Sequence, residues 1–197
     1  MLDSYASRPG WLDTLLTALA RKLLRLGIGA NSLTFFALLS GITAGLLFYA
    51  RYPLAALLCC ALSGLADAVD GRVARLGGGA TPWGGVLDLV CDRVVEVAVL
   101  LGIALPHPHL HVPALVLAAT WYVNLCVFLA VGAASERGRE KVIVYPPGLV
   151  ERGEALFFAA LAGLWPEWAA PLGYTYAGLE VVTAAQRFLA GKRELSA

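Results

Sequence analysis

Six apolar segments dominate this chain and limit what it can fold into. They lie at residues 31–50, 53–74, 84–105, 112–134, 153–165 and 170–189. A helix of about 20 apolar residues crosses a lipid bilayer, and only the fifth segment is clearly shorter than that. We therefore predict an all-α, polytopic membrane protein with six transmembrane helices.

The composition agrees with a membrane location. Charged residues make up 15% of the 197 residues and hydrophobic residues 59%, whereas a soluble domain is about a quarter charged. Residues 8–27 alternate leucines with Arg21, Lys22 and Arg25 at helical spacing, which is typical of an amphipathic helix lying in the membrane interface. No linker divides the chain, so one membrane domain over residues 1–197 is expected.

The basic residues indicate the orientation. They are concentrated at the termini and in the connectors at residues 76–83 and 135–152, whereas only Arg51 clearly lies at the opposite end. Basic connectors stay on the cytoplasmic side, so both termini are predicted to be cytoplasmic in a multi-pass protein of the cell (inner) membrane. Acidic residues precede the first apolar run, so no cleavable signal is expected. The net charge of +1 gives no reason to expect a nucleic-acid partner.

Four aspartates interrupt two of the apolar segments. Asp67 and Asp70 are three residues apart in the second segment, and Asp88 and Asp92 are four apart in the third. Each pair lies on one face of its helix, and the short connector between the segments makes the two helices antiparallel neighbours. An ionised carboxylate inside a membrane is costly unless it is compensated. Protonation or a bound cation would compensate four converging carboxylates, and oxygen ligands favour Mg²⁺ or Mn²⁺.

The spacing of these residues carries a more specific signal. It reads Asp67-x2-Asp70-Gly71-x2-Ala74-Arg75-x8-Gly84-x3-Asp88-x3-Asp92. This pattern resembles the signature of the CDP-alcohol phosphotransferase (CDP-alcohol phosphatidyltransferase) family. An Asn-x-x-Thr stretch at the start of the first span and the arrangement of an interfacial helix plus six spans are also similar to that family.

The resemblance implies an enzyme that transfers a phosphatidyl-type group from CDP-diacylglycerol to a small alcohol and releases CMP. It implies that Asp67, Asp70, Asp88 and Asp92 hold two divalent cations and that Asp92 is the general base. The implied CDP-donor site consists of Asn31, Ser32, Leu33, Thr34, Gly71, Ala74, Arg75, Thr81 and Gly84. Family members commonly form homodimers, and the same is expected here. From the residues alone, the alternative role for Thr81 is that of a turn residue beside Pro82. Glu96 is either close to the metal site or the partner of Arg93.

The choice of acceptor remains open at this point. A Glu-Arg-x-Glu stretch containing Arg152 resembles the phosphatidylinositol-phosphate synthase and phosphatidylglycerophosphate synthase branches. The pair Gln186-Arg187 resembles the end of the last helix in the phosphatidylinositol-phosphate synthase branch. In that branch two arginines and a lysine bind the phosphate of the acceptor, which implies roles for Arg152 and Arg187. The lysine expected near the end of the fourth span is missing, so either Lys141 replaces it or the acceptor carries no phosphate. Inositol phosphate, glycerol phosphate and other alcohols are all retained.

Two other classes of protein compete with an enzyme. A small ion or proton transporter would use intramembrane carboxylates to carry a cation, but here the aspartates cluster toward one end of their helices. A membrane scaffold without catalytic activity would not bind CDP in a metal-dependent manner.

Overall fold

The computed structural model describes residues 10–79, 81–135 and 152–196, and this part of the chain is helical, with no strand. The prediction of an all-α protein is confirmed. The described residues form seven α-helices, namely α1 (Trp11–Arg25), α2 (Ala30–Tyr49), α3 (Pro53–Leu76), α4 (Pro82–Ala104), α5 (His111–Ser135), α6 (Arg152–Leu164) and α7 (Ala169–Leu195). A short 3₁₀ helix, Pro108–Leu110, precedes α5. Each of the six apolar segments corresponds to one of the helices α2 to α7.

The chain divides into two compact units, and the first is Met1–Pro106. Within it, a Cβ at Gly41 would collide with Val95, and one at Gly45 would collide with the backbone of Ala98. The contacts advance in the same direction along both helices, so α2 and α4 are parallel and closely packed. Glycines at such positions let helix backbones approach each other.

Helix α3 runs antiparallel to α2 in the same unit. The Ser63 hydroxyl donates a hydrogen bond to the Ala37 carbonyl oxygen at 2.8 Å, and Thr34 contacts Asp70. A later residue of α3 thus meets an earlier residue of α2. Helices α2, α3 and α4 therefore form an up-down-up arrangement, with α3 and α4 joined by the short turn that the sequence predicts.

Helix α1 packs against the end of α3 that carries the aspartates. Ala20 is buried against Val69 and Val73, and Arg72 forms an ion pair with Asp13 at 2.9 Å. Trp11, Leu12 and Leu15 at the start of α1 are exposed, Trp11 with an exposed fraction of 77%.

The second unit is His107–Ala197. Trp121 of α5 contacts Tyr176 of α7 edge to face at 6.1 Å between ring centroids. A Cβ at Gly191 would meet Val131, so α5 and α7 are parallel. Phe158 of α6 stacks on Tyr176 at 5.0 Å, which joins the third helix to the pair.

The surface of the described helices is apolar. Three helical segments are long and apolar enough to cross a membrane, namely Ala30–Tyr49, Pro53–Leu76 and Pro108–Ala134. Helix α4 has sufficient length but contains four charged residues: Asp88, Asp92, Arg93 and Glu96. Large apolar side chains are exposed on every helix, which a soluble monomer rarely tolerates. The chain is a membrane protein.

Candidate active site

The turn between α3 and α4 brings aspartates of the two helices close to one another. Gly78 has a φ of 65°, a left-handed conformation that glycine adopts without steric cost. Thr81 then caps α4, because its hydroxyl oxygen accepts a hydrogen bond from the Gly84 backbone N–H at 3.0 Å. Pro82 occupies the first turn of the helix, where no N–H is needed. The structure thus gives Thr81 the local role of a helix cap.

Three of the four aspartates converge. Asp67 and Asp70 of α3 and Asp88 of α4 each offer a carboxylate oxygen, and these oxygens all lie within 4.8 Å of one another. The Asp70 side chain is buried, with an exposed fraction of 5%. Among the described residues, the buried Oδ1 atom of Asp88 has no hydrogen-bond partner. A buried acceptor of this kind is costly unless something binds it.

The donor set fits a hard divalent cation. Three carboxylates at this separation repel one another strongly in a medium of low dielectric constant. A cation removes the repulsion and supplies a partner for Asp88 Oδ1. The ligands are carboxylate oxygens only, which suits Mg²⁺ or Mn²⁺ better than Zn²⁺.

Thr34 holds one of these carboxylates in place. Its hydroxyl lies 2.7 Å from Asp70 Oδ2 and 3.2 Å from the Ala30 carbonyl oxygen. A hydroxyl has a single proton, and the shorter distance and the charge on the carboxylate favour donation to Asp70. The structure therefore places Thr34, which the resemblance implied in CDP binding, directly against the carboxylate cluster.

Asp92 lies one turn beyond Asp88 on α4 and is half-buried. It is not part of the described three-carboxylate group. Glu96, a further turn along, forms an ion pair with Arg93 at 2.6 Å. Of the two readings of Glu96 from the sequence, the ion pair with Arg93 is confirmed.

The residues implied in donor binding surround the same end of α3. The Arg75 guanidinium folds back along the helix, and its Nη1 atom lies 3.4 Å from where a Cβ at Gly71 would be. A Cβ at Gly71 would therefore be in van der Waals contact with the Arg75 guanidinium. Asn31 and Ser32 are exposed and Ala74 is half-buried, whereas Leu33 packs against the cluster formed by Ala20, Val69 and Val73.

The residues implied in acceptor binding belong to the second unit. Arg187 lies on α7, where its Nη1 atom donates a hydrogen bond to Asn124 Oδ1 at 2.9 Å. Lys141 falls outside the described residues, and for Arg152 only the backbone, at the start of α6, is described. The structure thus gives contacts for Arg187 alone of the three.

Two buried polar residues next to Arg187 were not predicted from the sequence. Asn124 of α5 and Glu180 of α7 are joined by a hydrogen bond between Nδ2 and Oε2. The cost of an intramembrane carboxylate, which drew attention to the aspartates, applies equally to Glu180 in the sixth apolar segment. That argument would have found Glu180; nothing in the sequence pairs it with Asn124.

Comparison with known proteins now adds to this geometry. A family model described as CDP-alcohol phosphatidyltransferase matches residues 28–184. The chain belongs to this family.

Similar proteins of the family include the archaetidylinositol phosphate synthase of Pyrococcus horikoshii, which is 31% identical over 91% of this chain and 92% of its own length. Two solved structures of Mycobacterium tuberculosis phosphatidylinositol phosphate synthase are also similar. The structure with CDP-DAG bound has a TM-score of 0.71 and 26% identity, covering 90% of this chain and 94% of that one. The structure in complex with manganese and citrate has a TM-score of 0.70 and 27% identity, covering 90% and 88%.

Family membership confirms the predicted enzyme class. This CDP-alcohol phosphatidyltransferase is a transferase of phosphate-containing groups, and the alternative of a small ion or proton transporter is set aside. The manganese complex of the similar protein and the three clustered carboxylates of this chain together support the use of a divalent metal.

Proposed function

We propose that this protein transfers the phosphatidyl group of CDP-diacylglycerol to inositol phosphate and releases CMP. The observation that carries the proposal is the convergence of Asp67, Asp70 and Asp88 within 4.8 Å. Such a cluster would hold Mg²⁺ or Mn²⁺ against the diphosphate of the donor, and Asp92 would complete the set of ligands for two ions. Bound divalent ions stabilise the leaving phosphate and polarise the phosphorus under attack.

The protein's own residues have distinct tasks in the proposed reaction. Asp92 takes the proton from the acceptor hydroxyl while that oxygen attacks the phosphorus. The bond between the phosphatidyl phosphorus and the oxygen of CMP breaks, and CMP leaves. Arg75 donates hydrogen bonds to the diphosphate, and Gly71 leaves space for the nucleotide beside it. The proposed donor site further includes Asn31, Ser32, Leu33, Thr34, Ala74, Thr81 and Gly84.

Thr34 provides a test of the site that does not depend on turnover. Replacing Thr34 by valine removes the hydroxyl that contacts Asp70 at 2.7 Å, so we expect the affinity for Mn²⁺ to fall about 10- to 100-fold. Thr34→Ser keeps the hydroxyl and should retain the affinity. Calorimetric titration of the purified protein with MnCl₂, and separately with CDP, measures both. Unchanged Mn²⁺ binding with weaker CDP binding would show instead that Thr34 contacts the nucleotide.

Inositol phosphate is the acceptor that the comparisons favour. The similar proteins carry the names archaetidylinositol phosphate synthase and phosphatidylinositol phosphate synthase. An acceptor with a phosphate requires cationic side chains, and we assign that role to Arg187, Arg152 and Lys141. Lys141 would replace the lysine that is missing near the end of the fourth span.

The acceptor assay tests the whole proposal. Purified protein in lipid is given CDP-diacylglycerol and MgCl₂ or MnCl₂, and CMP release is measured with inositol phosphate, glycerol phosphate, inositol or serine supplied singly. We expect metal-dependent release with inositol phosphate. Release with glycerol phosphate alone would reassign the acceptor, and release with unphosphorylated inositol would remove the need for Lys141. No release with any acceptor, together with no metal-dependent binding of CDP, would favour a scaffold.

The membrane arrangement is also a proposal. Helices α2 to α7 would form six spans of one domain, with both termini and the active site on the cytoplasmic side of the cell membrane. The family model covers 28–184 and so includes parts of both units, which supports one domain. The exposed Trp11, Leu12 and Leu15 side chains support an interfacial position for α1. We further propose a homodimer, as in other family members.

A further inference from the structure

A buried polar network lies between α5 and α7. The exposed fraction is 8% for Asn124 and 6% for Glu180. Asn124 Nδ2 donates to Glu180 Oε2, and Arg187 Nη1 donates to Asn124 Oδ1 at 2.9 Å. Asn124 thus bridges a carboxylate and a guanidinium that are seven residues apart on α7, which places both on one face of that helix.

The chemistry of the three side chains fixes their orientation. A guanidinium is only a donor, so the Asn124 atom facing Arg187 must be the amide oxygen. The amide nitrogen then faces Glu180, whose carboxylate accepts the bond. Each member of the network therefore determines how the next one points, and no amide flip satisfies both contacts.

Aromatic packing adds a second restraint on Arg187. Its Cζ atom lies 5.2 Å from the centroid of the Phe128 ring, within range of a cation–π interaction. Phe128 is four residues after Asn124, so both lie on the same face of α5. The Phe128 ring restrains the orientation of the guanidinium plane, and the hydrogen bond to Asn124 restrains the direction in which Nη1 points.

We propose that Asn124 and Glu180 are positioning residues that set the orientation of Arg187 for the phosphate of the acceptor. This inference rests on the proposed function, in which Arg187 binds that phosphate. In the described part of α5 and α7, Asn124 rather than the Glu180 carboxylate contacts the guanidinium. The negative charge thus stabilises Arg187 through a neutral amide.

The first test separates acceptor binding from the other steps. Asn124→Leu removes the amide and keeps a side chain of similar volume. We expect the KM for inositol phosphate to rise roughly ten- to hundredfold, because this ratio corresponds to the free energy that a hydrogen bond to a charged group usually contributes. The KM for CDP-diacylglycerol should not change. Glu180→Gln keeps an acceptor for Asn124 and removes only the charge, so a smaller rise in the acceptor KM is expected.

Thr183 offers a matched control in the same buried region. It is fully buried on α7, and its hydroxyl donates to the Leu179 carbonyl oxygen of its own helix at 2.9 Å. Thr183→Val removes a buried hydroxyl at constant volume without changing the network. We expect both KM values to stay at those of the unaltered enzyme.

A double variant distinguishes positioning from ordinary helix packing. If Asn124 acts through Arg187, then Asn124→Leu combined with Arg187→Ala should raise the acceptor KM no further than Arg187→Ala alone. Additive effects would overturn the inference, as would equal effects of Asn124→Leu on the KM values of both substrates. A normal acceptor KM in both Asn124→Leu and Glu180→Gln would also overturn it, even where Arg187→Ala raises that KM.

The failure of the underlying assignment has a different signature. If Arg187→Ala leaves the KM for inositol phosphate unchanged in an active enzyme, Arg187 does not bind the acceptor, and the positioning role falls with it. If the unaltered protein releases no CMP with a phosphorylated acceptor, the proposed function itself fails.

Discussion

Replacement of Asp92 by asparagine is expected to lower kcat for CMP release by roughly 10²- to 10⁴-fold, the usual contribution of a general base. The amide cannot accept the proton of the acceptor hydroxyl, although it keeps the size of the carboxylate. Asp92 is not one of the three clustered carboxylates, and the asparagine keeps one oxygen that can act as a ligand, so metal-dependent binding of CDP should be largely retained. Single-turnover CMP release and CDP titration in the presence of MnCl₂ measure the two effects separately.

The control for this variant is Asp13→Asn. Asp13 makes an exposed ion pair with Arg72, and such pairs contribute little to stability, so normal turnover is expected. If Asp92→Asn releases CMP at the rate of the unaltered enzyme, Asp92 is not the base. If it loses CDP binding as well as turnover, its main role is that of a metal ligand.

Replacement of Asp88 by asparagine is expected to remove metal binding and, with it, metal-dependent binding of the donor. The loss of Mn²⁺ affinity should exceed the roughly 10- to 100-fold that is typical of losing an outer partner of a ligand. The same change should raise the Tm of the metal-free protein, because it removes one of three mutually repelling carboxylates.

Thermal unfolding with and without MnCl₂ tests in one experiment the loss of Mn²⁺ binding and the higher Tm of the metal-free protein. A ligand that binds only the folded state raises Tm, so the unaltered protein should gain stability on addition of Mn²⁺ and the Asp88→Asn protein should not. Asp13→Asn again serves as the control, with a normal shift. A full Mn²⁺-induced shift in Asp88→Asn would contradict the assignment of Asp88 as a ligand.

The fold was largely predictable because apolar length and polarity are local properties of the sequence. All six apolar segments correspond to helices, and the turn between α3 and α4 follows from Gly78, Thr81 and Pro82. Three helical segments are long and apolar enough to cross a membrane, and α4 is not among them. Helix α4 carries the charged residues of the candidate site, so it is less apolar than an ordinary span.

The candidate site was predictable only where its residues follow a short spacing. Asp67, Asp70 and Asp88 lie on two adjacent helices joined by a tight turn. Helical periodicity and the short turn together predict that they lie close to one another. The contact between Thr34 and Asp70 joins residues that are 36 apart. Periodicity cannot predict such a contact, because it depends on how α2 and α3 pack.

By itself, the sequence determined the helical class, the membrane environment and the carboxylate chemistry, since each follows from residue type and spacing. Only the tertiary structure decided which partner each polar side chain has. It assigned Thr34 to Asp70 and Asn124 to both Glu180 and Arg187. These pairings depend on the register of one helix against another. Between α5 and α7 the close approach of Gly191 to Val131 contributes to that register, which the spacing within a single helix does not encode.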